Sequence, residues 1–132
     1  MQKITTFLMF DGQAEEAMNF YVSLFPLSEI ISITRYGAGE AGAENSVQHA
    51  TFSLKEQLFM CIDSPPVHDF TFTPSISLYV TCETEHEIKM LYEKLSENGK
   101  IFMPLDAYPF SEMYGWVADR FGVAWQLILP KK

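Results

Sequence analysis

Positive charge is scarce in this sequence. Nine lysines and arginines stand against seventeen aspartates and glutamates, a formal net charge of −8, and the nine are scattered without a basic run. Nucleic acid is bound through cations that displace counterions from phosphates, and an anionic membrane surface draws on the same cations. Neither partner is expected. Cysteine is equally sparse: Cys61 and Cys82 are the only two, without CxxC spacing, each inside an apolar strand-like stretch. That is the pattern of buried reduced thiols in a cytoplasmic protein. No apolar run approaches the ~20 residues needed to span a bilayer, and the N-terminus leads directly into a strand pattern rather than a leader. A P-loop and a nucleophile elbow are also missing. What the chain has in quantity is packing material. With 132 residues, 48% apolar and 14% aromatic, it can bury roughly two-thirds of its unfolded surface as one domain.

Ile4–Phe10 is β-branched and aromatic and stops at the turn signal Asp11-Gly12, as a strand does. Ala14, Ala17, Met18, Tyr21, Leu24 and Phe25 then recur with the spacing of one buried helical stripe. Glu15 and Glu16 favour the helix N-terminus, and Pro26 ends it. Three strands are expected next, at Glu29–Tyr36, Ser46–Leu54 and Gln57–Asp63, the last two joined by a Lys55-Glu56 hairpin. The stretch Ser64–Pro74, with Pro65-Pro66 and Pro74, reads as a connector. A strand at Ser75–Cys82 follows, and Thr84 has the spacing to cap a second helix by accepting from the N–H of Glu87. That helix carries Ile88, Leu91, Tyr92 and Leu95 as its stripe and Gly99 as its C′ residue. Strands are expected at Lys100–Leu105, Glu112–Asp119 and Val123–Leu129, with Arg120-Phe121-Gly122 joining the last two. Pro104–Tyr114 is the least determined stretch, and its pattern leaves open whether it forms a mobile rim over the cleft.

The order is strand–helix–strand–strand–strand, twice. Leu8 aligns with Tyr79, Tyr21 with Tyr92 and Leu24 with Leu95, each at an offset of 71 residues. The expected fold is therefore α+β: two tandem βαβββ modules, about 1–63 and 75–132 with the connector 64–74 between them. Together they would make a single domain, 1–132, with a curved mixed sheet and a concave cleft.

Phe10-Asp11-Gly12-Gln13-Ala14-Glu15-Glu16-Ala17, Phe20-Tyr21, Leu24-Phe25-Pro26, Phe72-Thr73-Pro74-Ser75-Ile76-Ser77 and the closing Asp119-Arg120-Phe121-Gly122-Val123-Ala124-Trp125-Gln126 carry a resemblance. They resemble the PhnB-like branch of the vicinal oxygen chelate superfamily, which includes glyoxalase I, bleomycin-resistance proteins and extradiol dioxygenases. The resemblance covers essentially the whole chain. It implies paired βαβββ modules and a homodimer. In catalytic relatives it also implies a metal ion held by His, Glu or Gln on the first and last strands of the modules, acting as a Lewis acid. Here those positions fall on Thr6 (Thr5 if the register slips by one), Met60, Ser75 or Ser77, and Gln126. Only Gln126 offers a ligand, where a stable site needs three or four, so no metal is expected. The branch also carries a demethylubiquinone methyltransferase label. Asp11-Gly12-Gln13 lacks a glycine-rich turn for a nucleotide-type cofactor, and no cofactor is expected.

Alternation selects the side chains that would line the cleft: Thr6, Leu8 and Met60, then His49, Thr51 and Ser53, Ser75, Ser77 and Tyr79, and Ala124, Gln126 and Ile128. The ligand-binding candidates are Thr6, His49, Thr51, Ser75, Ser77, Tyr79 and Gln126. His49 is the candidate for acid–base work, since imidazole exchanges protons near neutral pH. Asp63 and Asp119 read as turn or cap residues, and Trp116 and Trp125 as core anchors, with either phase open to the strand Glu112–Asp119 that carries Trp116. The expected function is binding of a small organic molecule in the cleft without a metal. The alternatives are a metal-dependent lyase or dioxygenase of the glyoxalase type, and a drug-sequestering protein.

Overall fold

The computed structural model describes residues 2–65 and 68–132; Pro66 of the expected proline breaker lies outside them. The chain forms two compact units, Met1–Thr71 and Phe72–Lys132, each a βαβββ module built around one four-stranded mixed sheet.

In the first unit, β1 (Thr6–Phe10), α1 (Ala14–Leu24), β2 (Glu29–Arg35), β3 (Val47–Leu54) and β4 (Gln57–Asp63) give the sheet order β1-β4-β3-β2. The parallel β1–β4 pair exists because α1 carries the chain across the sheet. The predicted stripe of α1 is its buried face, and Ala14, Ala17, Met18 and Tyr21 have no exposed surface. Gln13 does not cap this helix through its side chain. Asp63 does so from the end of β4: one carboxylate oxygen accepts from Ala14 N at 2.9 Å and the other from Val47 N at 2.9 Å. A buried carboxylate thus ties helix, β3 and β4 together, the structural role expected of it. Arg35 on β2 pairs with Glu15 in the first turn of α1 at 2.6 Å, and this guanidinium holds the Glu15 carboxyl below its ordinary range. Lys55 and Glu56 make the hairpin with φ of 49° and 69°, the two left-handed residues a type I′ turn needs. Their N–H groups donate to Ser28 Oγ and to the Leu27 carbonyl, respectively.

In the second unit, β5 (Ser77–Thr81), α2 (Glu85–Ser96), β6 (Lys100–Tyr108), β7 (Ser111–Ala118) and β8 (Ala124–Leu129) give the order β5-β8-β7-β6. Thr84 caps α2 as the spacing predicts, accepting from Glu87 N at 3.1 Å, and Glu87 returns a bond from Glu83 N at 2.9 Å. Two expectations are corrected. β5 begins at Ser77 rather than Ser75, and the preceding Ile76 is 73% exposed. The left-handed residue after α2 is Asn98, with φ 59°. Gly99 is needed instead for close approach, because a Cβ there would lie 2.1 Å from the Ala118 carbonyl oxygen. The stretch 104–114, left open by its sequence, forms a β6–β7 hairpin in which Tyr108 pairs with Ser111 across Pro109-Phe110. Pro104 sits on an edge strand, where its missing N–H costs no ladder bond.

The core of this unit is anchored by Trp125, 1% exposed, with Leu127, Val117, Ile88, Leu91 and Leu95. Asp119 locks the last hairpin. Its Oδ1 accepts from Phe121 N at 2.9 Å and Val123 N at 3.1 Å, and its Oδ2 from Trp125 Nε1 at 2.8 Å.

Candidate functional site

Strand register decides which side chains share a face, because paired residues project to the same side. In the first unit Thr6 pairs with Phe59, Phe7 with Met60 and Leu8 with Cys61, while Thr51 pairs with Met60 and Ala50 with Cys61. Ala50, Phe52 and Cys61 are wholly buried, and Asp63, in phase with Cys61, reaches the helix N-terminus. That face is the helix side. Thr6 and Leu8 therefore lie on the helix side of the sheet, a correction to the expected lining. The opposite face carries Phe7, Met9, Met60, His49, Thr51 and Ser53. Here His49 and Thr51 are brought together as expected, both half-buried. The His49 ring centroid is 6.3 Å from that of Phe7, which is 50% exposed. Neither His49 nor Thr51 makes a side-chain hydrogen bond among the described residues.

In the second unit Leu78 pairs with Trp125 and Val80 with Leu127, and a Cβ on Gly115 would meet the α2 residue Tyr92 at 3.0 Å. The helix side is thus Leu78, Val80, Trp125, Leu127, Gly115 and Val117. The opposite face carries Ser77, Tyr79 and Gln126 in the predicted phase, with Tyr79 58% exposed. Ser75 stands outside the strand, exposed, its hydroxyl 2.7 Å from that of Thr73.

Two residues on this face escaped the sequence reading. Tyr114 donates from its hydroxyl to Gln126 Oε1 at 2.6 Å. Burial, then the neighbouring phenols of Tyr79 and Tyr108, raise the Tyr114 hydroxyl above its ordinary pKa. Trp116 pairs with Gln126 on the adjacent strand, so it is a face residue and not a second core anchor. Its Nε1 is buried and has no hydrogen-bond partner among the described residues. Tyr108, Phe110 and Tyr114 form an aromatic cluster with ring centroids 5.0–5.8 Å apart. The β7–β8 hairpin carries the signal for Trp116: counting back from a turn centred on Phe121 puts position 116 opposite 126.

The inherited metal positions do not fit an ion. Register puts Thr6 on the wrong face. Met60 and Ser77 are poor ligands for a hard or borderline divalent ion, and the Gln126 oxygen is engaged by Tyr114. Among the described residues no three of His, Cys, Asp and Glu gather as a metal group. Cys61, wholly buried, has its thiol pushed up to about 12 by burial and by the Asp63 charge, so it offers no thiolate. No helix among the described residues is long and apolar enough to cross a membrane.

Two βαβββ units, each with one helix over a mixed sheet whose first and last strands run parallel, define the vicinal oxygen chelate fold. Solved structures agree. A domain from Frankia sp. EAN1pec, described as glyoxylase/bleomycin resistance protein/dioxygenase, superposes with a TM-score of 0.68 at 12% identity over 99% of both chains. PA1353 from Pseudomonas aeruginosa reaches 0.87 at 23% identity over 100% of both. The PhnB protein of Bacillus cereus is 62% identical over 97% of this chain and 99% of its own, with a TM-score of 0.95. The family model described as 3-demethylubiquinone-9 3-methyltransferase matches residues 2–128. The chain belongs to that family, the PhnB-like branch of the vicinal oxygen chelate superfamily. A search of curated proteins gives no match.

Proposed function

We propose that this protein binds a small organic molecule, without a metal ion, on sheet faces turned away from its helices. The observation that carries the reading is the uncommitted polarity of those faces. His49 and Thr51 in the first unit, and Ser77, Tyr79 and the Gln126 amide nitrogen in the second, sit among apolar and aromatic neighbours with no partner for their polar atoms among the described residues. These groups are half-buried or exposed, so water meets them in the free protein and a ligand with matching polar groups can replace it. The aromatic cluster of Tyr108, Phe110 and Tyr114 favours sequestration over chemistry, since no group here has the partner a general base or nucleophile requires.

The methyl transfer named in the family description finds no support in these residues. Neither sheet alternates strand and helix one-to-one, and β1 leads into Asp11-Gly12-Gln13 without a glycine-rich turn. The protein acts as a cytoplasmic homodimer in this reading. Two buried thiols without a disulfide suit a reducing compartment, and two-fold pairing is the commonest closed symmetry. Native mass spectrometry of the protein as isolated tests the whole reading. A dimer carrying an organic adduct is expected, and elemental analysis should find no stoichiometric metal. About one metal per chain after dialysis would overturn it.

A further inference from the structure

The hydrogen bond from the Tyr114 hydroxyl to Gln126 Oε1 orients the amide. Its oxygen is spoken for, and its Nε2 is left as a donor with no partner among the described residues. On the next strand Trp116 Nε1 is buried and equally without an acceptor. Trp116 and Gln126 are direct cross-strand partners, which sets their Cβ atoms ~5 Å apart on one face. Two N–H donors therefore belong to one cross-strand pair: the buried Trp116 Nε1 bears the cost of a missing acceptor, and Gln126 Nε2, on a half-buried residue, is open to one.

We infer that Gln126 Nε2 and Trp116 Nε1 form a donor pair that reads the carbonyl oxygen of a neutral aromatic ligand, whose ring lies against Tyr79. The inference rests on the binding reading above and names its ligand class. Neutrality follows from charge. The row Tyr79–Gln126–Trp116–Met103 holds no ionised side chain, and the flanking rows end in one Lys and one Asp, Lys100 and Asp106. The one cation that flanks the row is offset by the one anion, so an anionic ligand would find no net counter-charge there, on a chain of net charge −8. Aromaticity follows from Tyr79, 58% exposed beside Gln126, which presents a flat face for stacking. Access follows from β6. Its register shifts on both sides of Met103, the residue opposite Trp116, and the Phe102 ring lies 4.9 Å from the indole. An irregular edge strand and a flexible thioether are the parts of this sheet that yield most easily.

The test uses the full-length protein labelled with 15N. Its two tryptophans give two indole N–H signals, and that of Trp125, bonded to Asp119, is an internal reference. Acetophenone should move the Trp116 indole and Gln126 amide signals downfield while the Trp125 signal stays. Ethylbenzene, a similar molecule without the oxygen, should bind roughly tenfold more weakly and cause no downfield shift. Trp116→Phe removes the N–H and keeps a ring. It should hold or raise the melting temperature, weaken acetophenone roughly tenfold and leave ethylbenzene unchanged. Equal affinity for the two probes, or parental acetophenone binding by Trp116→Phe, overturns the donor pair and leaves binding on this face standing. If neither probe moves any signal from this face, both readings fall.

Discussion

Asp119 is the residue on which the last hairpin turns, and removing its carboxylate tests the architecture that positions Gln126. It is 3% exposed and accepts from Phe121 N, Val123 N and Trp125 Nε1. A hydrogen bond to a charged acceptor contributes about 1.5–3 kcal/mol, and an abandoned buried donor costs about 1–3 kcal/mol. In Asp119→Ala the backbone donors of Phe121 and Val123, both buried residues, recover part of their loss only as the turn opens to water at the exposed Arg120. The Trp125 indole, 1% exposed, recovers none. The net cost should be about 3–4 kcal/mol, roughly 10–18 °C in melting temperature for a domain of this size. Asp119→Asn keeps one acceptor but turns an NH2 group on one of the donors, and should cost about 1–3 kcal/mol. Urea unfolding gives both values. A double-mutant cycle of Asp119→Asn with Trp125→Phe should return a coupling of about 0.5–3 kcal/mol. If Asp119→Ala loses less than about 1 kcal/mol, or the cycle shows no coupling, the hairpin is held by packing alone and this reasoning fails.

His49→Leu should leave melting nearly unchanged, Gln126→Leu should cost about 1–2 kcal/mol for the abandoned Tyr114 hydroxyl, and Trp125→Ala about 3–5 kcal/mol. Any other order of the three melting temperatures refutes the face assignment. Tyr114, raised by burial and by the phenols of Tyr79 and Tyr108, should be among the last tyrosines to ionise in an ultraviolet titration. Because its folded pKa exceeds the unfolded one, its contribution to stability is complete below the unfolded value and disappears as pH rises through the folded value. Tyr114→Phe should remove that alkaline loss. Cys61, pushed up to about 12, should resist iodoacetamide at pH 8 in the folded protein and react only on unfolding, as mass spectrometry of alkylated peptides would reveal.

Helices, hairpins and strand order were legible because each rests on local chemistry. The α1 and α2 stripes, the Thr84 cap and the Lys55-Glu56 turn all stand where the residues require them. Strand phase was less so. An offset of 71 aligns Tyr21 with Tyr92 and Leu24 with Leu95 in the helices. Carried into the first strands, it sets Leu8 against Tyr79. Register instead matches Leu8, paired with Cys61, to Val80, paired with Leu127, an offset of 72. One residue gained between strand and helix turns every β1 side chain over, which is why Thr6 left the candidate face and Phe7 joined it. In β6 the obstacle was different. Its bulges break the alternation around Pro104, so no period-2 signal was there to be found.

The corrected register also lets the two sheet faces be compared row against row. With helix sides superposed, the row Phe7–Met60–Thr51 of the first unit corresponds to Tyr79–Gln126–Trp116 of the second. Both rows start from an exposed aromatic on the first strand, with exposures of 50% for Phe7 and 58% for Tyr79. Beyond it they diverge. The first offers a thioether and one hydroxyl, which pack an apolar body but fix no orientation. The second offers an amide oriented by Tyr114 and an indole N–H without an acceptor. Apolar area supplies affinity with little directional preference, whereas unpaired donors discriminate sharply against molecules that cannot satisfy them. In the proposed binding, directional discrimination would come from the N–H donors of the second sheet, whereas the corresponding row of the first has no side-chain N–H.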